Sequence, residues 1–512
     1  MRARLTAVTA LAAVTCIGLV TACSPGGSDD DTSPGDDSTF SYRIPDRFKA
    51  WLDDLNWYPA LEDASGVSVD LIDGGPEESH YQQLDLKLSQ GDVGDATVAT
   101  AAQVQTYGPQ GAFLDLAPLI KEKAPNLQKY IDENDDFRKL ITEADGSIYG
   151  LVNEYPKVSI LTFYRSDVAE QAGITTQPRT ISEFTDFLRK LQAANAGTAG
   201  YHALSGRDTF INYQYAFAAN DGIDQDGTVH GEYFSGRGTD VLADGYRDMV
   251  EWYRTLYSEG LIDPEWVSGT QTEEQWETKM LTGKSSVTND FFTRPYWFLS
   301  NADTQTYPTY ALDVLPALES DSGDQMMVAA NERYNLQRVF VVTANTDKTD
   351  AILKFLDYLY SDEGQAIYHY GVEGQSYETV DGEPQYTVKF EDEGTQPLGT
   401  KVWNFQQDRL TFPAPVSDQA YYDWQDEFTR SFAQDYFDNY LVSNPVLKYS
   451  TEQAAERAKL VASVDPLVLG QVTKFVTGER DMSEWDSFIA DVLDAGYADI
   501  TAIDQAAYDA MQ

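Results

Sequence analysis

Four stretches of this chain place their apolar residues on one helical face, and that spacing limits what the chain can fold into. Phe184, Phe187, Leu188 and Leu191 fall at i, i+3, i+4 and i+7. Tyr246, Met249, Val250 and Tyr253 repeat the interval, as do Ile352, Phe355, Leu356 and Leu359, and Tyr81, Leu84 and Leu88 share a face in the same way. Each stripe belongs to a helix that must bury one side against another element. Strand-like segments supply that partner. Val67-Ser68-Val69-Asp70-Leu71 alternates, and Val339-Phe340-Val341-Val342 is a short continuous apolar run just before a helical stripe. Pro178, then Thr180 with Glu183 three residues on, marks the start of one helix as a capping box. Short strands alternating with amphipathic helices predict an α/β protein with mostly parallel sheets.

The first 39 residues follow different rules. Arg2 and Arg4 precede an uncharged apolar run from Leu5 to Val20, and Thr21-Ala22 precede Cys23. A basic start, a short apolar stretch and a small-residue cleavage site predict a signal peptide over 1–22 rather than a spanning helix. Val20-Thr21-Ala22-Cys23 also resembles the lipobox of bacterial lipoproteins, in which the cysteine thiol is diacylated and becomes the new N-terminus. Two acyl chains are the two signals that stable anchoring requires. Residues 23–39 hold Gly26-Gly27, Asp29-Asp30-Asp31, Pro34-Gly35 and Asp36-Asp37. They read as a flexible, self-repelling tether, with the folded part starting near Phe40.

Without residues 1–22 the chain carries 34 basic and 83 acidic side chains, a net charge of −49. Nothing there would neutralise phosphates, so nucleic acid is excluded as a partner. An anionic lipid face would repel the body, leaving the lipid as its only hold on a membrane. Cys16 leaves with the leader and Cys23 carries lipid, so the mature fold has no disulfide and no thiol chemistry. A body of about 470 residues needs no such staples, yet it is too long for one core, and two lobes are expected.

Neither a metal nor a cofactor is expected. His80, His202, His230 and His369 are scattered, with no zinc-ligand spacing. Asp221-Gly222-Ile223-Asp224-Gln225-Asp226-Gly227 looks like a calcium loop. The full pattern fails, because its first position is Gly222 and its twelfth is Tyr233 rather than Glu232, so a polar hairpin turn is the better reading.

Several segments match, in order, the motifs of one known family. Gly111-Ala112-Phe113-Leu114-Asp115-Leu116-Ala117-Pro118-Leu119-Ile120 is similar to the family's G-x-x-x-D-L-x-P-L-I, and Gly146-Ser147-Ile148-Tyr149-Gly150-Leu151 to its G-x-x-Y-G-L strand. Phe163-Tyr164-Arg165-Ser166-Asp167, Ala172-Gly173-Ile174 and Pro178 with Thr180 to Phe184 resemble a further stretch, Y-R-K-D…G-x…P-x-T-x-x-E-F. Phe355-Leu356-Asp357-Tyr358-Leu359-Tyr360-Ser361-Asp362-Glu363-Gly364 resembles F-L-D-Y-L-Y-S-x-E-G, and Phe475-Val476-Thr477-Gly478 with Trp485 resembles the family's tail. One segment departs from the pattern: Gln90-Gly91-Asp92-Val93-Gly94-Asp95 has Gly94 where the family has proline.

Together these segments resemble the extracellular solute-binding lipoproteins of ABC importers, the large carbohydrate-uptake type of Gram-positive bacteria. The resemblance implies a type II periplasmic-binding-protein-like fold, two α/β lobes joined by crossing strands with the ligand between them. Residues 40–150 and 336–400 are assigned to lobe I, and 151–335 and 401–512 to lobe II. It implies a monomer that captures a sugar, most readily an oligosaccharide, at the outer face of the cell membrane and passes it to the transmembrane permease subunits. No catalysis is implied.

Sugar rings stack on aromatic faces, and their hydroxyls take hydrogen bonds from Asp, Glu, Asn and Arg. The candidates are therefore aromatics beside polar groups in loops. They are Trp57, which a packed helix end would equally explain; Asn153, Glu154 and Tyr155 at a strand end; and Arg207 with Asp208, which also fit a surface ion pair. Asn289, Phe292 and Trp297 follow the strand-like Ser285-Ser286-Val287-Thr288, Glu373 and Tyr377 follow the Gly364 helix, and Trp403 is a further platform or core residue. Two other readings stay open: a lipid-anchored glycoside hydrolase, needing two carboxylates across a cleft, and a binder of a non-sugar solute such as a peptide.

Overall fold

Three of the four apolar stripes are buried, the fourth is buried at Leu84 with Tyr81 and Leu88 partly buried, and they sort into more than one core. The computed structural model describes residues 38–512 except 53–54, 208–209, 211, 225, 232–238, 321–322, 324–326, 329–332, 391–411 and 443–444. Cys23, Asp208 and Trp403 therefore lie outside the described residues, as does nearly all of the acidic tether.

The described strands are β1 (Thr39–Ile44), β2 (Ser68–Asp73), β3 (Ala96–Ala99), β4 (Leu151–Glu154), β5 (Ile160–Arg165), β6 (Gly222–Ile223), β7 (Val229–His230), β8 (Val287–Phe291), β9 (Leu312–Val314), β10 (Met327–Val328), β11 (Tyr334–Val342), β12 (Tyr377–Val380), β13 (Glu383–Tyr386) and β14 (Leu441–Val442). Five form the first lobe's sheet in the order β2-β1-β3-β11-β4. Within it β1 runs parallel to β2 and β3. In contrast β11 is antiparallel to both β3 and β4. The second lobe's sheet, β8-β5-β9, is antiparallel at both pairings, with a parallel bridge from Leu204 to Val287 on its flank.

The expectation of mostly parallel sheets therefore holds only for part of lobe I. A helical crossover lays the next strand parallel to the last. Strand β11 instead enters the sheet from the other lobe, at the edge where β1, β2, β3 and β4 end, so it must run against them.

One core gathers Phe40, Tyr42, Leu84, Val98, Leu151, Phe340, Phe355 and Leu359. Two more lie in the second lobe, one around Phe184, Leu188, Met249, Val250, Tyr253 and Phe475 and one around Leu161, Phe163, Trp276, Phe292, Phe298, Tyr422 and Phe437. Leu151, Val152, Phe412, Ala414 and Val446 belong to the first core. Strand β4 and the segments around Phe412 and Val446 thus sit with lobe I, although the sequence reading placed 151–335 and 401–512 in lobe II.

Among the described residues the chain crosses between lobes over 155–159, in the segment ending at Arg333, and over 412–417, and it also passes from the first lobe at Tyr368 to the second lobe's core at Tyr386, Val388 and Phe390, which the sequence assigned to lobe I. A further tie follows later, where Lys448 Nζ donates to Thr142 O and Glu143 Oε1, both at 3.0 Å, and Gln105 Nε2 donates to Tyr449 O at 2.7 Å. The helix Thr451–Thr477 is long and apolar enough to cross a membrane by length and composition. Its Val464, Val472, Phe475 and Val476 are buried in the second lobe's core, and Pro466 lies inside it.

The suspected calcium loop is the hairpin β6–β7, in which Ile223 pairs with Val229. His230 Nε2 lies 3.3 Å from Asp224 and its Nδ1 3.7 Å from Asp240. Among the described residues no group of three or more His, Cys, Asp and Glu side chains is placed to hold a metal.

Candidate functional site

In open α/β sheets the crevice for a ligand lies outside the carboxyl ends of the parallel strands. Here β1 ends at Ile44, β2 at Asp73 and β4 at Glu154, and β11 begins beside β4, with Tyr334 opposite Glu154. The residues just beyond these ends form one polar cluster. Arg338 Nε donates to Glu77 Oε1 at 2.9 Å, and Arg47 pairs with the other oxygen of that carboxylate. Arg338 Nη1 and Asn335 Nδ2 both donate to the Tyr155 hydroxyl, at 3.2 and 2.6 Å. The Arg47 and Arg338 guanidinium groups lie over the Phe48 ring, 4.9 and 4.6 Å from its centroid. Burial pushes the Tyr155 and Tyr81 hydroxyls further up from a value at which tyrosine is already neutral at pH 7.

The second lobe presents a matching cluster at its own hinge edge. Ile160, where the first crossing enters β5, pairs with Phe291 at the end of β8. Arg294 donates to Asp290 Oδ2 at 2.8 Å, to Glu273 Oε1 at 2.8 Å and to Glu277 Oε1 at 3.2 Å. Arg207 lies 3.4 Å from Asp290 Oδ1 and donates to Glu273 at 3.3 Å. A Cβ at Gly206 would come within 2.4 Å of the Trp266 ring, so a glycine is needed where the chain passes that ring to present Arg207. Burial pushes the Glu273 carboxyl up in pKa, but Arg294 and Arg207 outweigh it and hold the carboxyl below its usual value. Phe291 is 37% exposed, with the Arg207 guanidinium 5.9 Å from its ring centroid. Behind it Asn289 Oδ1 accepts from Thr162 Oγ1 at 2.6 Å and from the Tyr213 hydroxyl at 3.1 Å, while its buried Nδ2 has no partner among the described residues.

Tyr155 and Ile160 lie five residues apart on one crossing, so at most about 18 Å of chain separates the Tyr155 end of the first cluster from the strand that pairs with Phe291 in the second.

The structure places the sequence candidates unevenly. Tyr155, Arg207 and Asn289 are at the two edges just described. Trp57 is fully buried in the first core, its ring 4.9 Å from Tyr368, as the packed-helix-end alternative required. Phe292 is also core, with its ring edge-on to Tyr421, Tyr422 and Phe437. Trp297 is partly buried beside Phe298 and the Arg294 guanidinium, on the helix Arg294–Asn301.

Asn153 and Glu154 point into the lobe junction rather than the cleft, at 0% and 1% exposure. Asn153 Nδ2 donates to Phe412 O at 3.2 Å, and Glu154 accepts from the Tyr130 hydroxyl and lies 3.2 Å from Arg333. Burial pushes the Glu154 carboxyl up in pKa, against the pull of Arg333, Tyr130 and the Val416 N–H. Glu373 and Tyr377 sit at the β12–β13 hairpin. There Glu373 accepts from Thr379, and Tyr386 ties the hairpin to His369 O and Ala420 O. The described contacts join that hairpin to neighbouring helices, not to either cluster.

Arg47, Glu77, Phe291 and Arg338 escaped the sequence reading, whereas Phe48, 1% exposed, is a core ring beneath the two guanidinium groups. The available signal was position, since Arg47 and Glu77 fall within four residues of the ends of β1 and β2. Strand β1 itself was not read.

Comparison with known proteins follows the same outline. The model of the bacterial extracellular solute-binding protein family matches residues 35–366. The chain belongs to this family. Among curated relatives, this solute-binding protein is 22% identical over 487 residues to the fructooligosaccharide ABC transporter substrate-binding protein FusA of Streptococcus pneumoniae, a match covering 88% of this chain and 86% of FusA. Among solved structures it superposes on an extracellular solute-binding protein from Bifidobacterium longum subsp. infantis with a TM-score of 0.67 at 17% identity, covering 92% of this chain and 98% of that one. FusA from S. pneumoniae, as an EF-hand mutant in complex with fructo-nystose, gives a TM-score of 0.64 at 18% identity, covering 92% and 99%. These likenesses fix the fold as the two-lobe type II arrangement of solute-binding proteins.

Proposed function

We propose that this solute-binding protein is the substrate-binding subunit of an ABC importer, that it captures a neutral oligosaccharide between its lobes, and that it delivers the sugar to the permease from a lipid tether on Cys23. The observation that carries the sugar reading is the pair of clusters at the hinge edges. Each sets aromatic rings beside Arg and carboxylate groups, the two components a sugar's apolar face and its hydroxyls require.

Charge supports a neutral ligand. Arg47 and Arg338 share the Glu77 carboxylate, and Arg207 and Arg294 are held by Asp290 and Glu273. An anionic ligand would have to compete with these carboxylates, whereas hydroxyls can add to the same groups. FusA is named for fructooligosaccharides, which supports the same class.

The test is thermal unfolding of the purified protein with a panel of neutral oligosaccharides, uronate oligosaccharides and peptides. A ligand that binds only the folded state stabilises it by about 2.7 kcal/mol at a hundred times its Kd. The expected result is an upward shift with a neutral oligosaccharide that is recovered intact. Released monosaccharide would instead show a hydrolase, and a shift with peptides or uronates alone would overturn the ligand class.

A further inference from the structure

Three of the connections between the lobes meet at one side chain: the crossing over 155–159, the return to lobe I that ends at Arg333, and the crossing over 412–417. Arg333, at the end of the second, donates from Nη1 to Tyr155 O at 2.9 Å and to Asp418 Oδ1 at 2.8 Å. Its Nη2 donates to Val416 O at 2.7 Å and lies 3.2 Å from Glu154 Oε2. A guanidinium on one crossing thus holds a main-chain carbonyl and a carboxylate on, or beside, each of the other two. The bonds are reciprocated: Tyr155 N donates to Arg333 O at 2.8 Å, Lys157 N to Asp418 Oδ1 at 2.8 Å and Val416 N to Glu154 Oε2 at 3.4 Å. Glu154 is anchored to lobe I by Tyr130. Asp418 begins a helix, Asp418–Trp424, whose Tyr421, Tyr422 and Trp424 are packed in lobe II.

Three separate strands could flex independently, and the lobes would then splay as well as rotate. A planar fork that satisfies four acceptors at once forbids that, because any one strand moving alone breaks a charge-assisted bond. Rotation about an axis through the fork would keep all four. We propose that Arg333 is the positioning residue of the hinge: it makes the three crossings turn as one, with Glu154 fixing the pivot to lobe I and Asp418 fixing it to lobe II. It therefore sets the share of molecules poised to close on ligand, and apparent affinity falls with that share. The residue touches no ligand in this role.

The inference rests on the two-lobe fold and not on the sugar reading, so its first arm is ligand-free. Small-angle scattering of the ligand-free protein and of Arg333→Met, Arg333→Lys, Glu154→Gln and Asp418→Asn measures how far the lobes spread. The expected result is a larger radius of gyration for Arg333→Met and a smaller increase for Asp418→Asn, with Arg333→Lys close to the methionine variant, because an ammonium cannot reproduce the fork. The second arm is titration with kestose; the Kd of Arg333→Met should rise about tenfold. If kestose does not bind the unsubstituted protein, the sugar reading suffers and the scattering arm alone decides the hinge. If Arg333→Met does not fold, Asp418→Asn and Glu154→Gln carry both readouts. Variants that fold and melt at a lower temperature, yet keep the ligand-free radius and a Kd within twofold, would show a purely structural bridge and overturn the proposal.

Discussion

Phe291 and Phe292 are neighbours with opposite fates. Phe291 ends β8 with its ring partly in solvent beside Arg207, while Phe292 is 1% exposed among Tyr421, Tyr422 and Phe437. Replacing Phe292 with Ala should cost about 3–5 kcal/mol of stability, the range for a buried phenylalanine, read as a lower unfolding midpoint in urea. Replacing Phe291 with Ala should leave that midpoint unchanged and weaken oligosaccharide binding by about 0.5–1.5 kcal/mol, roughly twofold to tenfold in Kd. The reverse pattern would exchange their roles. The sequence marked this stretch as a strand end rich in aromatic and polar residues, but not which ring faces out. Side chains alternate across a strand, so their faces follow from the partner strand's register, and β8 is registered by β5, more than a hundred residues away. The same gap hid Asn153 and Glu154: a polar pair at a strand end reads as a ligand contact until the chain that covers it is known. That cover comes from Phe412 and Arg333.

Helices were more legible than strand directions, for a local reason. A 3.6-residue period and a cap are contained within about fifteen residues. The helix Ile181–Ala194 buries Phe184, Phe187, Leu188 and Leu191, and Thr180 and Glu183 form the capping box read from the sequence. Thr180→Ala should lose about 1 kcal/mol, seen as a lowered unfolding midpoint with unchanged ligand affinity, since its described partners, Glu183 and the bridge to Glu319, belong to neither cluster. Loss of affinity without loss of stability would contradict the assignment. Gly364 in the helix Asp362–Tyr370 has an equally local cause, because a Cβ there would lie 2.0 Å from Tyr358 O. Strand direction depends on where the chain re-enters a sheet. Val339 to Val342 were correctly read as a buried strand, yet nothing within those residues says that β11 arrives from the other lobe and runs antiparallel.

At the scale of the whole molecule, length and the order of the family-like segments predicted a two-lobe binder, and the fold and the family match agree with it. What they did not give was the site, because a cleft is made by strand ends distant in sequence. Arg47, Glu77 and Arg338 meet across 291 residues, and Arg207 meets Asp290 across 83. The central claim is that both hinge edges hold one neutral oligosaccharide. Hydrogen–deuterium exchange of the protein with and without a neutral oligosaccharide selected by thermal shift tests this most directly. The expected result is joint slowing of exchange at 44–48, 73–81 and 334–338 in lobe I and at 205–207 and 289–294 in lobe II. Protection confined to one lobe, or to a face away from these segments, would contradict it.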